Sequence, residues 1–259
     1  MRKSLLVLAL ALLLAGCSAA PAGETPPAAE SLSQEEPVAV ARCRVVDGAG
    51  TNTLVLAGLD GGAGEVYTLG TAELAVEGEL ADGAVVEVRF DGAVMESYPA
   101  QFSGVTGVRV TEQPVDDRCG LYLQVLEDLW EVDPGLNTDL EELGVDFSGL
   151  TDLTESEKSA LAWVFGNAHG LMPITGTLEE LWQAGYLTPM TEPAEGYEDS
   201  VALYRWENGC LFSLTGSAEE GFTARKWASG LGAYVFSDCT AVQDADGTWS
   251  YTIGAEAIS

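Results

Sequence analysis

The chain has 259 residues, with 41 Asp and Glu against 11 Lys and Arg and a net charge of −30. That balance excludes a protein that grips nucleic acid, because such affinity rests on Lys and Arg neutralising phosphates. It also excludes a basic face that would hold anionic lipid headgroups. Solubility and weak cation binding at the surface are what it does predict.

Arg2 and Lys3 open the chain, and Leu5 to Leu14 is an unbroken apolar run. At about 1.5 Å per helical residue the run spans roughly 15 Å, half of a ~30 Å hydrocarbon core. It is too short to cross a membrane and suits the apolar part of an export signal. The run closes on Leu14-Ala15-Gly16-Cys17, which resembles the lipobox of bacterial lipoproteins. The resemblance implies that residues 1–16 are removed and that the Cys17 sulfur carries a diacylglyceryl group. The protein would then be a lipoprotein held at the extracytoplasmic face of a cell membrane by acyl chains such as palmitate. Two chains anchor stably where one does not. The alternative is an ordinary signal peptide cut near Ala15 or Ala20.

Residues 17–37 follow as a spacer, with Pro21, Pro26, Pro27 and Pro37 and one large aliphatic, Leu32. Too little apolar surface is present to order such a segment. Residues 38–112 read as a small all-β domain. Strands are expected at 38–46, 53–56, 66–69, 85–90 and 105–110, separated by Asp47-Gly48, Asp60-Gly61-Gly62 and Asp82-Gly83. Asp91-Gly92 predicts a hairpin from Val85–Phe90 into Ala93-Val94-Met95. Five or six short strands in this length suit a partly open barrel of the OB type. The stretch Gly83 to Phe90, the turn, and Ser97-Tyr98-Pro99-Ala100 resemble a small β-barrel domain of bacterial lipoproteins. That resemblance brings no catalytic residue.

Residues 113–119 read as a linker, and 120–259 as an α+β domain. All six tryptophans and 17 of the 21 aromatic residues lie beyond residue 119, which places the larger core there. Leu121, Tyr122, Val125, Leu126, Leu129 and Trp130 form a helical stripe stopped near Asp133-Pro134-Gly135. Thr154-x-x-Glu157 and Thr177-x-x-Glu180 are capping boxes that start two further helices, ending near Gly170 and Gly185. An antiparallel meander is expected next: 201–206 turning at Asn208-Gly209 into 210–215, then 222–227, 232–239 and 248–253. The fold class expected is therefore α+β, an OB-like barrel followed by three helices on an antiparallel sheet. Leu126 to Asn137 and Lys226 to Phe236 resemble an uncharacterised domain of exported bacterial proteins, with no activity attached.

Four cysteines remain after Cys17. In an exported chain they suggest disulfides, with Cys210–Cys239 favoured, Cys43–Cys119 as the remainder, and buried free thiols as the alternative. No Cys-x-x-Cys spacing supports a metal, and no cofactor is implied. His169 is the only histidine. A hydrolase would need it beside Ser213, Ser229 or Ser237, but no Gly-x-Ser-x-Gly elbow exists, and a histidine before Gly170 reads as a helix end. Asp244-Ala-Asp246-Gly247 fails the calcium-loop spacing and reads as a turn. Arg225-Lys226-Trp227 is the only adjacent basic pair after the signal, and is a candidate patch for an anionic or aromatic ligand. The function expected is a membrane-anchored, non-catalytic binding or interaction module of unknown protein or small-molecule ligand. The alternatives are an envelope hydrolase using an acidic pair, and an inhibitor or partner-binding subunit that would show an exposed apolar patch.

Overall fold

The first half of the folded body is a sheet whose strands alternate apolar and polar residues unevenly, and this unevenness sets its shape. A computed structural model describes residues 39–62, 64–190 and 203–259. The export signal, Cys17, the spacer, Val38, Ala63, Val201 and Ala202 lie outside the described residues. Eight strands come first: β1 (Ala39–Asp47), β2 (Thr53–Gly58), β3 (Val66–Gly70), β4 (Val76–Glu77), β5 (Val85–Phe90), β6 (Val94–Met95), β7 (Gln101–Phe102) and β8 (Gly107–Val110). Six of them form one sheet in the order β3-β2-β1-β5-β8-β4, and β6 pairs only with β7.

That sheet does not close, so the OB-like barrel is corrected. Its two edges, β3 and β4, are not paired with each other. The physical reason lies in Leu54-Val55-Leu56-Ala57. Leu54 and Leu56 join Val45, Val86 and Val88 in one core, whereas Val55 and Ala57 join Val46 and Val66 in a second core shared with the helices. A strand buried on both faces reads as a continuous apolar run. The outer wall of a small barrel would be polar at these positions. The Asp91-Gly92 hairpin is corrected as well. Both edges of β5 are already taken, by β1 and β8, so the turn carries the chain away into β6.

The second half contains α1 (Arg118–Glu131), β9 (Glu142–Leu150), α2 (Glu155–Ala168), β10 (Pro173–Thr175), α3 (Leu178–Gln183), β11 (Thr188–Pro189), β12 (Tyr204–Arg205), β13 (Gly209–Ser217), β14 (Gly221–Ser229), β15 (Gly232–Gln243), β16 (Trp249–Thr252) and β17 (Ala255–Ile258). Both capping boxes form: the Thr154 and Thr177 hydroxyls accept from the Glu157 and Glu180 amides, and those glutamates reach back to the threonine amides. The nine-stranded sheet runs β10-β9-β13-β14, with β12 and β11 beyond and β15 bonded to β14, β16 and β17.

The α+β assignment is corrected to a mainly β fold, with 44% of the described residues in strands and 18% helical. The sheet is mixed, because β9 runs parallel to both β10 and β13. Strand β9 went unassigned in the sequence. Its alternation of Leu143, Val145 and Phe147 with Gly144, Asp146 and Ser148 is the period-2 signal that marks it. The Asn208-Gly209 hairpin is corrected for the same reason as the first: β13 is flanked by β9 and β14, and β12 pairs with β14 and β11 instead.

Residues 36–259 form one compact unit, so the segment 113–119 joins two sheets within a single body. It is held at both ends. Asp116 N donates to Gly83 O and Asp117 N donates to Gly247 O, and Arg44 Nε sits 2.5 Å from Glu157 Oε1 on α2. No helix of the described residues is long and apolar enough to cross a membrane.

Candidate functional site

Period-2 alternation divides the Arg225-Lys226-Trp227 triad between two faces of the sheet. Lys226 points to the side of α1 and α2 with Ala224 and Phe236, and is fully buried. Its Nζ donates to Asn137 Oδ1 at 2.7 Å, to Trp130 O at 3.3 Å, to Asp133 O at 3.1 Å and to Val132 O. Helix α1 has no basic residue in its last turn, and Val132 caps its end. Lys226 therefore supplies from across the sheet the positive charge that orphan carbonyls and the helix dipole favour. Burial lowers its pKa, while Cys210, Asp133 and Glu131 oppose the shift.

Trp227 packs on the opposite face with Leu181, Tyr204, Trp206 and Leu211, only 2% exposed. The expected ligand patch is thus corrected to one residue. Arg225 alone stays half-buried at the surface.

The other expected residues are also placed by packing. His169 caps α2. Its Nε2 lies 3.1 Å from Glu127 Oε2, and its ring stacks on Trp130 at 3.6 Å. Ser213 lies on the face of the sheet opposite α1 and α2. Ser229 Oγ accepts from Leu231 N, and Ser237 Oγ donates to Ala255 O. His169 therefore meets none of the candidate nucleophiles.

All four cysteines are buried free thiols, which corrects both disulfide pairings. Cys210 is on β13 and Cys239 on β15, with β14 between them. Two strand spacings are about 9.6 Å, beyond the reach of a disulfide. Cys43 and Cys119 belong to different cores. Burial, with Glu65 and Asp60 adding, pushes the Cys43 thiol up to about 12, and burial pushes Cys210 to about 12.

Asp244 to Gly247 forms the turn between β15 and β16: Gly247 N donates to Asp244 O, and Thr248 N and Oγ1 donate to Asp246 Oδ1. Among the described residues no group of three or more His, Cys, Asp or Glu could hold a metal ion.

Sequence reading missed the cleft where β9 runs past the end of β10. The crossover from β10 into α3 forms one wall and the first half of α2 the other. Its volume is about 290 Å³. Val145, Phe147 and Ala162 make an apolar floor, and Asp146, Glu155, Lys158, Ser159, Thr175 and Glu180 stand at the rim. Local hydrogen bonds fix these side chains. Asp146 Oδ1 accepts from the amide and hydroxyl of Ser148, at 3.0 and 2.6 Å. Lys158 Nζ lies 2.9 Å from Glu155 Oε1. The Thr177 amide and hydroxyl hold Glu180 and lower its pKa.

Three carboxylates against one ammonium leave the rim acidic. The arrangement can seat a small ligand with an apolar side and a cationic group. His169 is at the far end of α2, away from this cleft.

A second polar cluster joins the two halves. Arg118 pairs with Asp116 and Glu219 at 3.0 Å each and lies 5.7 Å from the Trp249 ring. Tyr122 Oη donates to Asp152. Beside it, Asp117 caps α1 by accepting from Gly120 N. Burial, with Asp82, Asp116 and Asp47 nearby, raises its pKa to about 6 against the opposing Gly120 bond. Every charge here has a partner within the protein, so the cluster is a structural junction. No known protein family, curated protein or solved structure matches this chain.

Proposed function

We propose that this protein is a lipid-anchored, extracytoplasmic binding module that acts without catalysis, its ligand seated in the cleft between β9, α2 and α3. The cleft carries this reading: an apolar floor under a fixed, net-acidic rim, on a body whose acidic surface draws cations. The histidine, the thiols and the buried lysine are each committed to packing or capping, which supports binding over turnover. The Leu14-Ala15-Gly16-Cys17 sequence supports the anchor.

The test is a thermal-shift screen of the intact protein against peptidoglycan fragments, peptides and sugars. It is repeated with Thr175→Trp, an exposed position whose new ring fills the cleft. A saturable rise in Tm that the variant abolishes is expected. No shift in any class, together with measurable turnover, overturns the reading in favour of the hydrolase. Mass spectrometry showing Cys17 without lipid overturns the anchor.

One observation favours a partner-binding subunit as the second reading. The β6–β7 hairpin exposes Val94, Met95 and Tyr98, at 42%, 49% and 53%. An apolar tip of this kind suits a protein partner.

A further inference from the structure

The described residues contain nine Lys and Arg, in a chain with 41 acids. Arg42, Arg44, Arg89, Arg109, Arg118, Lys158 and Arg205 each pair with a carboxylate, and Lys226 is held by the end of α1 and by Asn137. Of these nine, Arg225 alone has no hydrogen-bond or ion-pair partner among the described residues, although it sits at mid-sheet between β13 and β15. Its desolvation is not offset by any neighbouring carboxylate, and burial lowers its pKa with no opposing charge. Guanidinium nonetheless stays ionised in proteins. An uncompensated, half-buried cation is costly to keep, which makes its surroundings informative.

On the β15 side its register partner is the apolar Val235, and on the β13 side it meets hydroxyls. Ser213 is the cross-strand partner of Arg225, and Thr215 pairs with Thr223 two residues along the same face. The four side chains occupy a block within about 7 Å on adjacent strands. The three hydroxyls make no hydrogen bond within the described residues. A guanidinium fork flanked by free hydroxyls matches a carboxylate. One strand further on, Asp146 is the register partner of Ser213. Its Oδ1 takes both Ser148 bonds, leaving Oδ2 open. The net charge of the chain repels purely anionic solutes. A ligand bearing both signs escapes that repulsion.

We propose that Arg225, with Ser213, Thr215 and Thr223, seats the carboxylate of a small zwitterionic ligand, an amino acid or short peptide, whose ammonium lies toward Asp146. This goes beyond the cleft reading. It shares only Asp146 with the cleft, and Arg225 stands two strands away from it on β14.

The probe is the dipeptide Ala-Ala, with its C-terminal amide as the control. The intact lipoprotein in detergent is labelled with ¹⁵N-arginine, and the Arg225 Nε–H signal is identified by its absence in Arg225→Gln. Ala-Ala is expected to move that signal saturably and the amide to leave it in place. Calorimetry is expected to find Ala-Ala binding at least about tenfold weaker in Arg225→Gln, the loss of a charge-assisted bidentate pair. The Arg225 signal reads this site and the thermal shift of Thr175→Trp reads the cleft, so failure of the cleft reading and failure of this one are distinguishable. An unmoved Arg225 signal, or equal movement with the amide, overturns the proposal, and the wild-type spectrum alone decides this if the variant does not fold.

Discussion

Lys226→Met tests whether a lysine reaching across the sheet is what secures the end of α1. Methionine keeps the stem length and removes only the ammonium. Asn137 Oδ1, whose contact with Nζ is fully buried, is then left unsatisfied at a cost of about 1–3 kcal/mol. The carbonyls of Trp130, Val132 and Asp133 lose a charged donor at the helix end, worth roughly 1–2 kcal/mol in partly buried geometry. Relief of the buried cation's desolvation offsets part of this. A net loss of about 3 kcal/mol is expected. For a body of roughly 220 residues, at about 2–4 °C per kcal/mol, Tm falls by about 6–12 °C. Differential scanning calorimetry at pH 7.5 reads this, with urea unfolding as a second measure. Stability within about 1 kcal/mol of wild type, or above it, would refute the reasoning and show that desolvation outweighs the capping bonds.

Asp117 gives a pH dependence of definite sign. Its folded pKa of about 6 lies above the ordinary aspartate value of 3.8, so its contribution is fully present below about pH 4 and is lost as pH rises through 6. Asp117→Asn keeps a capping acceptor, and its stability relative to wild type should rise between pH 4 and pH 7; a flat difference would count against the shift. Gly83 has φ +82°, and a Cβ there would lie 2.5 Å from the backbone of Asp116 and Asp117. Gly83→Ala should cost about 2–4 kcal/mol in chemical unfolding. The thiols of Cys43, Cys119, Cys210 and Cys239 should react with Ellman's reagent only on unfolding, because burial holds all four pKa values up; fast reaction of the native protein would contradict their burial.

What the sequence reveals here is what a few neighbouring residues decide. The capping boxes at Thr154 and Thr177 form because both partners lie within one turn. Strand β5 forms where valines alternate with Glu87 and Arg89. Turn residues are less informative about what they connect. Asp91-Gly92 and Asn208-Gly209 both bend the chain, yet neither makes a hairpin, because β5 and β13 have partners from distant segments on both edges. Lys226 is the extreme case. Its acceptors sit 89 to 96 residues earlier, and nothing beside it in the chain announces that they will arrive. The site was legible only in part for the same reason. Arg225 could be singled out as a basic residue, but not that it alone would lack a partner, and the cleft needs β9, β10 and α2 brought together.

Strand β1 lies between β2 and β5, antiparallel to both. On the anchored reading, the chain enters it at Ala39 directly from the tether. Tension along the strand then loads two ladders of hydrogen bonds in shear, many at once. An edge strand would offer one ladder where β1 offers two. On that reading the attachment would pass force into the body through both ladders together.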